Sequence, residues 1–306
     1  MTFSVSILGC GAAIPMIHRN PSAQLINVHE KLFLFDCGEG TQVQLRKNRV
    51  RLQKINNIFI SHLHGDHYFG LIGFITSLHL LGRESDLHLF AHPSLEKIIK
   101  LHLESSQTIL KYSLIFHAID PGLHEVILDN SDVTVSTLPM NHNFPTCGFL
   151  IREKQGKPNI RKDFVAGHDL TKDDFRLIKA GNDFIDADGH VYPHADITSP
   201  PATARAYAYC TDTAYYEPLV PLIHGVDLLY HEATFMDDKE KDAEAKFHST
   251  ARQAAMIAKK AEVKKLMLGH YSARYKNLDG LLSEAKDVFT ETILADDGLV
   301  VEVLNG

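Results

Sequence analysis

Short β-branched and aromatic runs, bounded by Gly, Pro, Asn and Asp, alternate along this chain with stretches of helical apolar spacing. Residues 3–8, 23–28 and 31–35 read as three strands of an antiparallel meander, and residues 41–48 as a helix with Thr41 near its N-cap. Residues 55–60 predict a buried strand, and the apolar positions from Tyr68 to Ile75, continuing into Leu78, Leu80 and Leu81, predict a helix face. Strands are expected at 86–90, 113–118, 122–128, 132–138 and 147–151, with a helix at 95–103. The pattern lapses between 152 and 197, where charges are dense and Ile160, Phe164, Val165, Leu170, Phe175, Ile178 and Phe184 are scattered. This segment reads as a protruding insertion, and so long an excursion is characteristically functional or mobile. Strands resume at 204–210, 227–230, 263–268 and 299–304, with helices at 215–223, 251–261 and 281–289. Ser249 or Thr250 caps the helix at 251–261.

Composition narrows the class. A chain of 306 residues with 44% hydrophobic positions can bury a sizeable core without staples. Cys10, Cys37, Cys147 and Cys210 lie far apart, as expected of reduced thiols in a cytoplasmic protein. The N-terminus has neither a basic leader nor a long apolar stretch, so no signal peptide or membrane span is expected. A net charge of −7 opposes polyanion binding globally, so any such binding needs a local patch or metal charge. Gly9-Cys10-Gly11 hints at a dinucleotide turn, but the third glycine is missing and Pro15 follows.

The chemistry concentrates in Ser61-His62-Leu63-His64-Gly65-Asp66-His67, between the strand at 55–60 and the helix after it. His62 and His64, two apart in extended chain, point the same way and can share one ion, while Asp66 and His67 lie round the bend and face a second. His142, Asp212 and His270 also follow predicted strands, and strand ends on one sheet edge are close in space. We assign His62, His64 and His142 to one ion, Asp66, His67 and His270 to the other, and Asp212 to a bridge. Imidazole and carboxylate donors suit zinc, with manganese or iron also possible. Two cations flanking a water match hydrolysis of a phosphodiester.

These residues, with Gly65-Asp66-His67-Tyr68-Phe69-Gly70-Leu71, Thr211-Asp212-Thr213, His231-Glu232-Ala233-Thr234, His248-Ser249-Thr250 and Gly269-His270-Tyr271-Ser272, resemble the metallo-β-lactamase superfamily and, within it, the ribonuclease Z family. The match extends to Pro15, Arg19-Asn20 and Phe35-Asp36-Cys37-Gly38-Glu39-Gly40, covering nearly the whole chain. The resemblance implies an α+β fold: one four-layer αββα sandwich over residues 1–306, with 152–197 as an inserted arm that grips tRNA. It further implies two Zn2+ per chain, a homodimer, and cleavage of precursor tRNA after the discriminator nucleotide to leave a 3′-hydroxyl. Carried over by position, Asp66 holds or deprotonates the attacking water, His248 protonates the leaving oxygen and Glu232 orients His248. Arg274, Ser272, Arg19 and Asn20 would contact the substrate, Arg274 as a forked phosphate clamp.

Two departures stand out. Met16-Ile17-His18 replaces the family's lysine-bearing stretch, and Gly167-His168-Asp169-Leu170-Thr171-Lys172 replaces the Gly-Pro-rich arm tip. The alternatives are a general phosphodiesterase of this fold acting on small diesters, a thioester or β-lactam hydrolase, and a non-catalytic binding scaffold. No ligand position is missing, which argues against the scaffold.

Overall fold

In β1 (Phe3–Gly9), β2 (Ala23–Val28) and β3 (Lys31–Phe35), successive side chains enter two different cores. Val5, Ile7, Ile26, Phe33 and Phe35 face a core between two sheets, whereas Leu8, Leu25 and Leu34 face a core beneath helices. The computed structural model describes residues 2–304. Two compact units divide them: residues up to Arg152 together with Arg205–Leu304, and Glu153–Ala204.

The larger unit is an α+β sandwich. Its first sheet continues from the antiparallel β1–β2–β3 meander into β4 (Ile55–Phe59), β5 (Leu87–Ala91) and β6 (Leu114–Ala118), with β3 to β6 parallel. The second sheet contains β7 (Val126–Asp129), β8 (Val133–Pro139) and β9 (Cys147–Glu153). Beyond the insertion it gains β14 (Ala206–Cys210), β15 (Leu228–Glu232), β16 (Leu266–Gly269) and β17 (Thr292–Leu294), which are mutually parallel. A last strand, β18 (Val300–Glu302), returns to pair with β1, giving seven strands in each sheet among the described residues. Aromatic rings lock the sheets face to face: Phe149 of the second sheet lies 5.1 Å from Phe35 and 5.5 Å from Phe59 of the first. Burying each such ring stabilises the fold by roughly 1.5–3 kcal/mol.

Helices α1 (Thr41–Lys47), α3 (Leu71–Leu80) and α4 (Ser94–Ser105) cover the first sheet through Leu45, Phe74, Leu78, Leu95 and Ile99. On the second sheet, α9 (Ala251–Lys260) and α10 (Asp279–Lys286) pack against β15, β16 and β17. Thr250 accepts from the Gln253 N–H and the Gln253 side chain accepts from the Thr250 N–H, so α9 begins with a capping box.

The structure corrects several expected elements. Thr41 lies next to the N-cap of α1 as expected, but the cap itself is Gly40 in a left-handed conformation, and the Thr41 hydroxyl donates to Gly38 O. The helix expected from Tyr68 begins only at Leu71, as α3, after a separate short helix α2 (Gly65–Tyr68), because the Gly70 backbone is pressed against Gly38. A Cβ on Gly70 would lie 2.2 Å from the Gly38 carbonyl oxygen. Residues 215–223 form only a 3-10 turn at Glu217–Leu219, since Pro218 and Pro221 break the backbone ladder. The strand at Thr292–Leu294 and the helix α8 (Glu240–Ala245) were not anticipated. Among the described residues, no helix is long and apolar enough to cross a membrane, and all four cysteines are free and buried.

The smaller unit is more ordered than its scattered apolar residues suggested. It contains α5 (Lys162–Gly167), α6 (Lys172–Lys179) and α7 (His194–Ile197), with two-stranded sheets pairing β10 (Asn159–Ile160) to β13 (Thr198–Ser199) and β11 (Phe184–Ile185) to β12 (Val191–Tyr192). Phe164, Ile178, Phe184 and Ile197 form its own small core, with Ile160, Leu170 and Tyr192 packed around it.

Candidate metal centre and active site

Because β14, β15 and β16 are parallel, their carboxyl ends emerge on one edge, and each releases a polar residue there: Asp212, Thr234 and His270. From the first sheet, β4 runs out into His62 and His64, and α2 turns Asp66 and His67 back toward the same point. His142 follows β8. Asp212 and His270 have φ of 33° and 56°, left-handed values that side chains rarely adopt and that cluster at functional sites.

All seven predicted donors converge. His62, His64, His142 and Asp212 form one group whose donor atoms lie within 4.8 Å of one another, and Asp66, His67 and His270 form another. Asp212 faces both: its Oδ2 is 3.5 Å from His62 Nε2 and 3.9 Å from His142 Nε2, while its Oδ1 is 3.2 Å from His67 Nε2 and 3.1 Å from His270 Nε2. Asp66 Oδ2 closes the second group at 3.5 Å from both His67 and His270. The Nε2 atoms of His62, His67 and His270 are buried without a hydrogen-bond partner. Each such orphan costs roughly 1–3 kcal/mol, and a divalent cation in each group would relieve the cost. Burial and the neighbouring His67 keep the His62 imidazole neutral, the form in which it can ligate. Burial alone would raise the Asp212 carboxyl, but the surrounding imidazoles of His270, His67 and His62 hold it well below the usual carboxylate range. The donor set therefore fits divalent metal binding.

A further layer aims these ligands, and the sequence reading missed it. Asp36, itself at φ 56°, accepts from His67 Nδ1 at 2.7 Å, the Tyr209 hydroxyl at 2.7 Å and the Ser61 hydroxyl at 2.9 Å. His142 Nδ1 donates to Phe247 O at 3.0 Å, and His270 Nδ1 to the Thr234 hydroxyl at 2.9 Å. Asp36 follows β3 just as Asp212 follows β14, so the strand-then-carboxylate pattern was the available signal.

Thr234 also joins the metal cluster to a second pair. Its hydroxyl donates to Glu232 Oε2 at 2.7 Å, and Glu232 Oε1 lies 2.7 Å from His248 Nδ1 and accepts from the Thr213 N–H at 2.9 Å. Glu232 is fully buried and serves as the fixed anion of this pair. Burial alone would favour a neutral His248, but the Glu232 carboxylate outweighs it and raises the imidazole to about 9.

An open cleft of about 570 Å³ runs over the cluster, lined by His64, Asp66, Asp212, His248, Ser272 and Arg274 among others. Asp66 Oδ2 accepts from the Ala13 N–H at 2.7 Å. Arg274 lies over the Phe235 ring at 4.9 Å, with Asp242 3.8 Å away, so its guanidinium borders the cleft. Arg19 and Asn20 do not line it: Arg19 sits over Tyr271 at 5.2 Å, and Asn20 donates its N–H and side-chain amide to Asp297 Oδ2, both at 2.7 Å. Both residues brace the loop that carries Ala12 and Ala13 into the cleft.

Residues 3–172 match a family model described as anti-Pycsar protein Apyc1, and residues 197–271 one described as a beta-lactamase superfamily domain. The first match stops short of Asp212, Glu232, His248 and His270. Over nearly its whole length the chain is similar to a ribonuclease Z of Phocaeicola vulgatus, 44% identical over 301 residues that cover 98% of this chain and 97% of that one. A ribonuclease Z of Bacteroides thetaiotaomicron is 44% identical over 303 residues, covering 99% and 96%. The chain belongs to the ribonuclease Z family. Among solved structures, the short form of human tRNase Z is 26% identical with a TM-score of 0.72, covering 99% of this chain and 100% of that one. A Bacillus subtilis metallo-beta-lactamase fold protein, 22% identical with a TM-score of 0.69, shares the sandwich over 99% of this chain and 100% of its own. Membership of the ribonuclease Z family makes the chain an enzyme, a metal-dependent endoribonuclease that hydrolyses phosphodiesters.

Proposed function

We propose that this ribonuclease removes 3′ trailers from precursor tRNA in the cytoplasm, cutting after the discriminator nucleotide to leave a 3′-hydroxyl, and that it works as a homodimer with two Zn2+ per chain. The carrying observation is a buried carboxylate, Glu232, paired with the cleft-lining His248 and set beside a seven-donor cluster in one open cleft. Relatives named ribonuclease Z at 44% identity and the human tRNase Z fold support the choice of tRNA.

The metal ions, when bound, supply Lewis-acid charge to the phosphate and lower the pKa of water. The chain's residues do the rest. Asp66, held by the Ala13 N–H, orients or deprotonates the attacking water. The water oxygen bonds to phosphorus as the bond to the ribose 3′-oxygen breaks, and that oxygen takes the proton carried by His248. Glu232, fixed by Thr213 and Thr234, keeps the His248 ring turned to the cleft and stabilises its charge. Arg274 offers a forked donor to a non-bridging phosphate oxygen.

The arm, Glu153–Ala204, is our candidate for the tRNA grip. Its exposed Lys157, Lys162, Lys172 and Lys179 are available to phosphates, while Arg161 and Arg176 are paired with Asp163 and Asp173. Phosphate contacts of this kind weaken steeply with salt. The test is incubation with a precursor tRNA carrying a 3′ trailer, mapping both new ends. A single cut leaving a 3′-hydroxyl, lost in His64→Ala, is expected; an untouched precursor would refute the assignment.

A further inference from the structure

A second cavity of about 320 Å³ shares His248 with the metal cleft and is otherwise lined by Asn141, Ala214, Tyr215, Glu240, Glu244 and Gln253. Apart from His248, none of its lining residues belongs to the family motifs. Its lining is polar and acidic, and among the described residues neither the Glu244 carboxylate nor the Asn141 side-chain amide has a hydrogen-bond or ion-pair partner. Tyr215 is held rigidly: its hydroxyl donates to Glu217 at 2.8 Å, and the Lys260 ammonium lies 2.9 Å from the same oxygen.

We propose that this cavity seats the nucleoside immediately upstream of the cut, the one whose 3′-oxygen departs. The inference rests on the endoribonuclease reading above and deepens it. In an in-line displacement the entering and leaving oxygens lie on opposite sides of phosphorus. With Asp66 serving the entering water and His248 the leaving oxygen, as proposed above, the ribose attached to the leaving oxygen lies next to His248, which lines both the cleft and the cavity. An acidic wall repels the phosphates on either side but accepts hydrogen bonds from a ribose 2′-hydroxyl or a base amino group. The fixed Tyr215 ring offers a stacking surface to the base, and the volume suits one nucleoside rather than a strand. This arrangement places the leaving oxygen against His248 by holding the sugar and base behind it.

Single-turnover cleavage tests the seat, using wild type, Glu244→Gln and Tyr215→Ala on three precursors: unmodified, abasic just upstream of the cut, and abasic just downstream. Metal content and circular dichroism establish that both variants are folded and loaded. Tyr215→Ala should slow the unmodified and downstream-abasic substrates about ten-fold or more, and should scarcely affect the upstream-abasic one. Glu244→Gln should slow the unmodified precursor, and a 2′-deoxy or abasic change upstream should remove that difference. Equal slowing on all three substrates, or no slowing on the unmodified one, would overturn the seat while leaving the ribonuclease assignment standing. A wild-type protein that leaves every precursor intact would overturn both.

Discussion

At the scale of single residues, the centre divides into groups that hold charge and groups that aim the holders. His248 belongs to neither metal half-site by assignment, yet it is tied through Glu232 and Thr234 to the ligand His270. If it only donates a proton, His248→Ala should cut the cleavage rate by roughly 10²–10⁴ with metal content unchanged. Parallel metal analysis and single-turnover rates check this, and a variant stripped of metal would mark His248 as a structural member of the cluster. Asp36 acts through others: removing its acceptor leaves His67 Nδ1, Ser61 and Tyr209 without their shared partner. Asp36→Asn should therefore weaken metal affinity by about 10- to 100-fold, measured by competition with a chromogenic chelator. An unchanged affinity would show that His67 needs no such orientation.

At the scale of elements, the caps and breaks that deliver the site are local and testable. Thr250 starts α9 two residues after His248, and its capping box satisfies N–H groups that the helix itself cannot. Thr250→Ala should cost about 1 kcal/mol. That corresponds to a melting temperature lower by roughly 2–4 °C in a calorimetric scan. How much of this was readable without the structure follows from the range of each interaction. His62, His64, Asp66 and His67 were legible because six consecutive positions at a strand-to-helix turn aim them, and Asp212 and His270 because parallel strands bring their ends together. Asp36 and Thr234 were not assigned roles, since their significance lies in contacts with residues about thirty positions away that no local pattern announces. The late start of α3, likewise, follows from the close approach of Gly38 to Gly70, a tertiary fact. In the arm the apolar residues looked scattered because they meet only across its own turns: Phe164 packs against Phe184 at 5.7 Å.

At the scale of the whole molecule, net charge and architecture pull in different directions. A chain of charge −7 must bring RNA in through local cationic groups or through bound metal. The arm is the clearest place to look. It interrupts β9 and β14, whose Arg152 and Ala206 are paired partners, so the insertion leaves and re-enters the sheet at adjacent positions. Excising residues 154–203 and closing the gap with a short glycine turn removes the unit with its core, whereas a cut at Phe184 would split that core. The excised protein should fail on precursor tRNA and keep its activity on a small chromogenic phosphodiester. Equal retention of both activities would remove the arm from tRNA recognition.

The account as a whole depends on the seven-donor cluster holding two cations. Its most direct test is metal stoichiometry by elemental analysis, on protein stripped with chelator and then titrated with zinc while precursor cleavage is followed. The expected result is two metal ions per chain, with cleavage absent from the stripped protein and restored as the second site fills. Full cleavage by metal-free protein, or a chain that binds no metal at all, would contradict it.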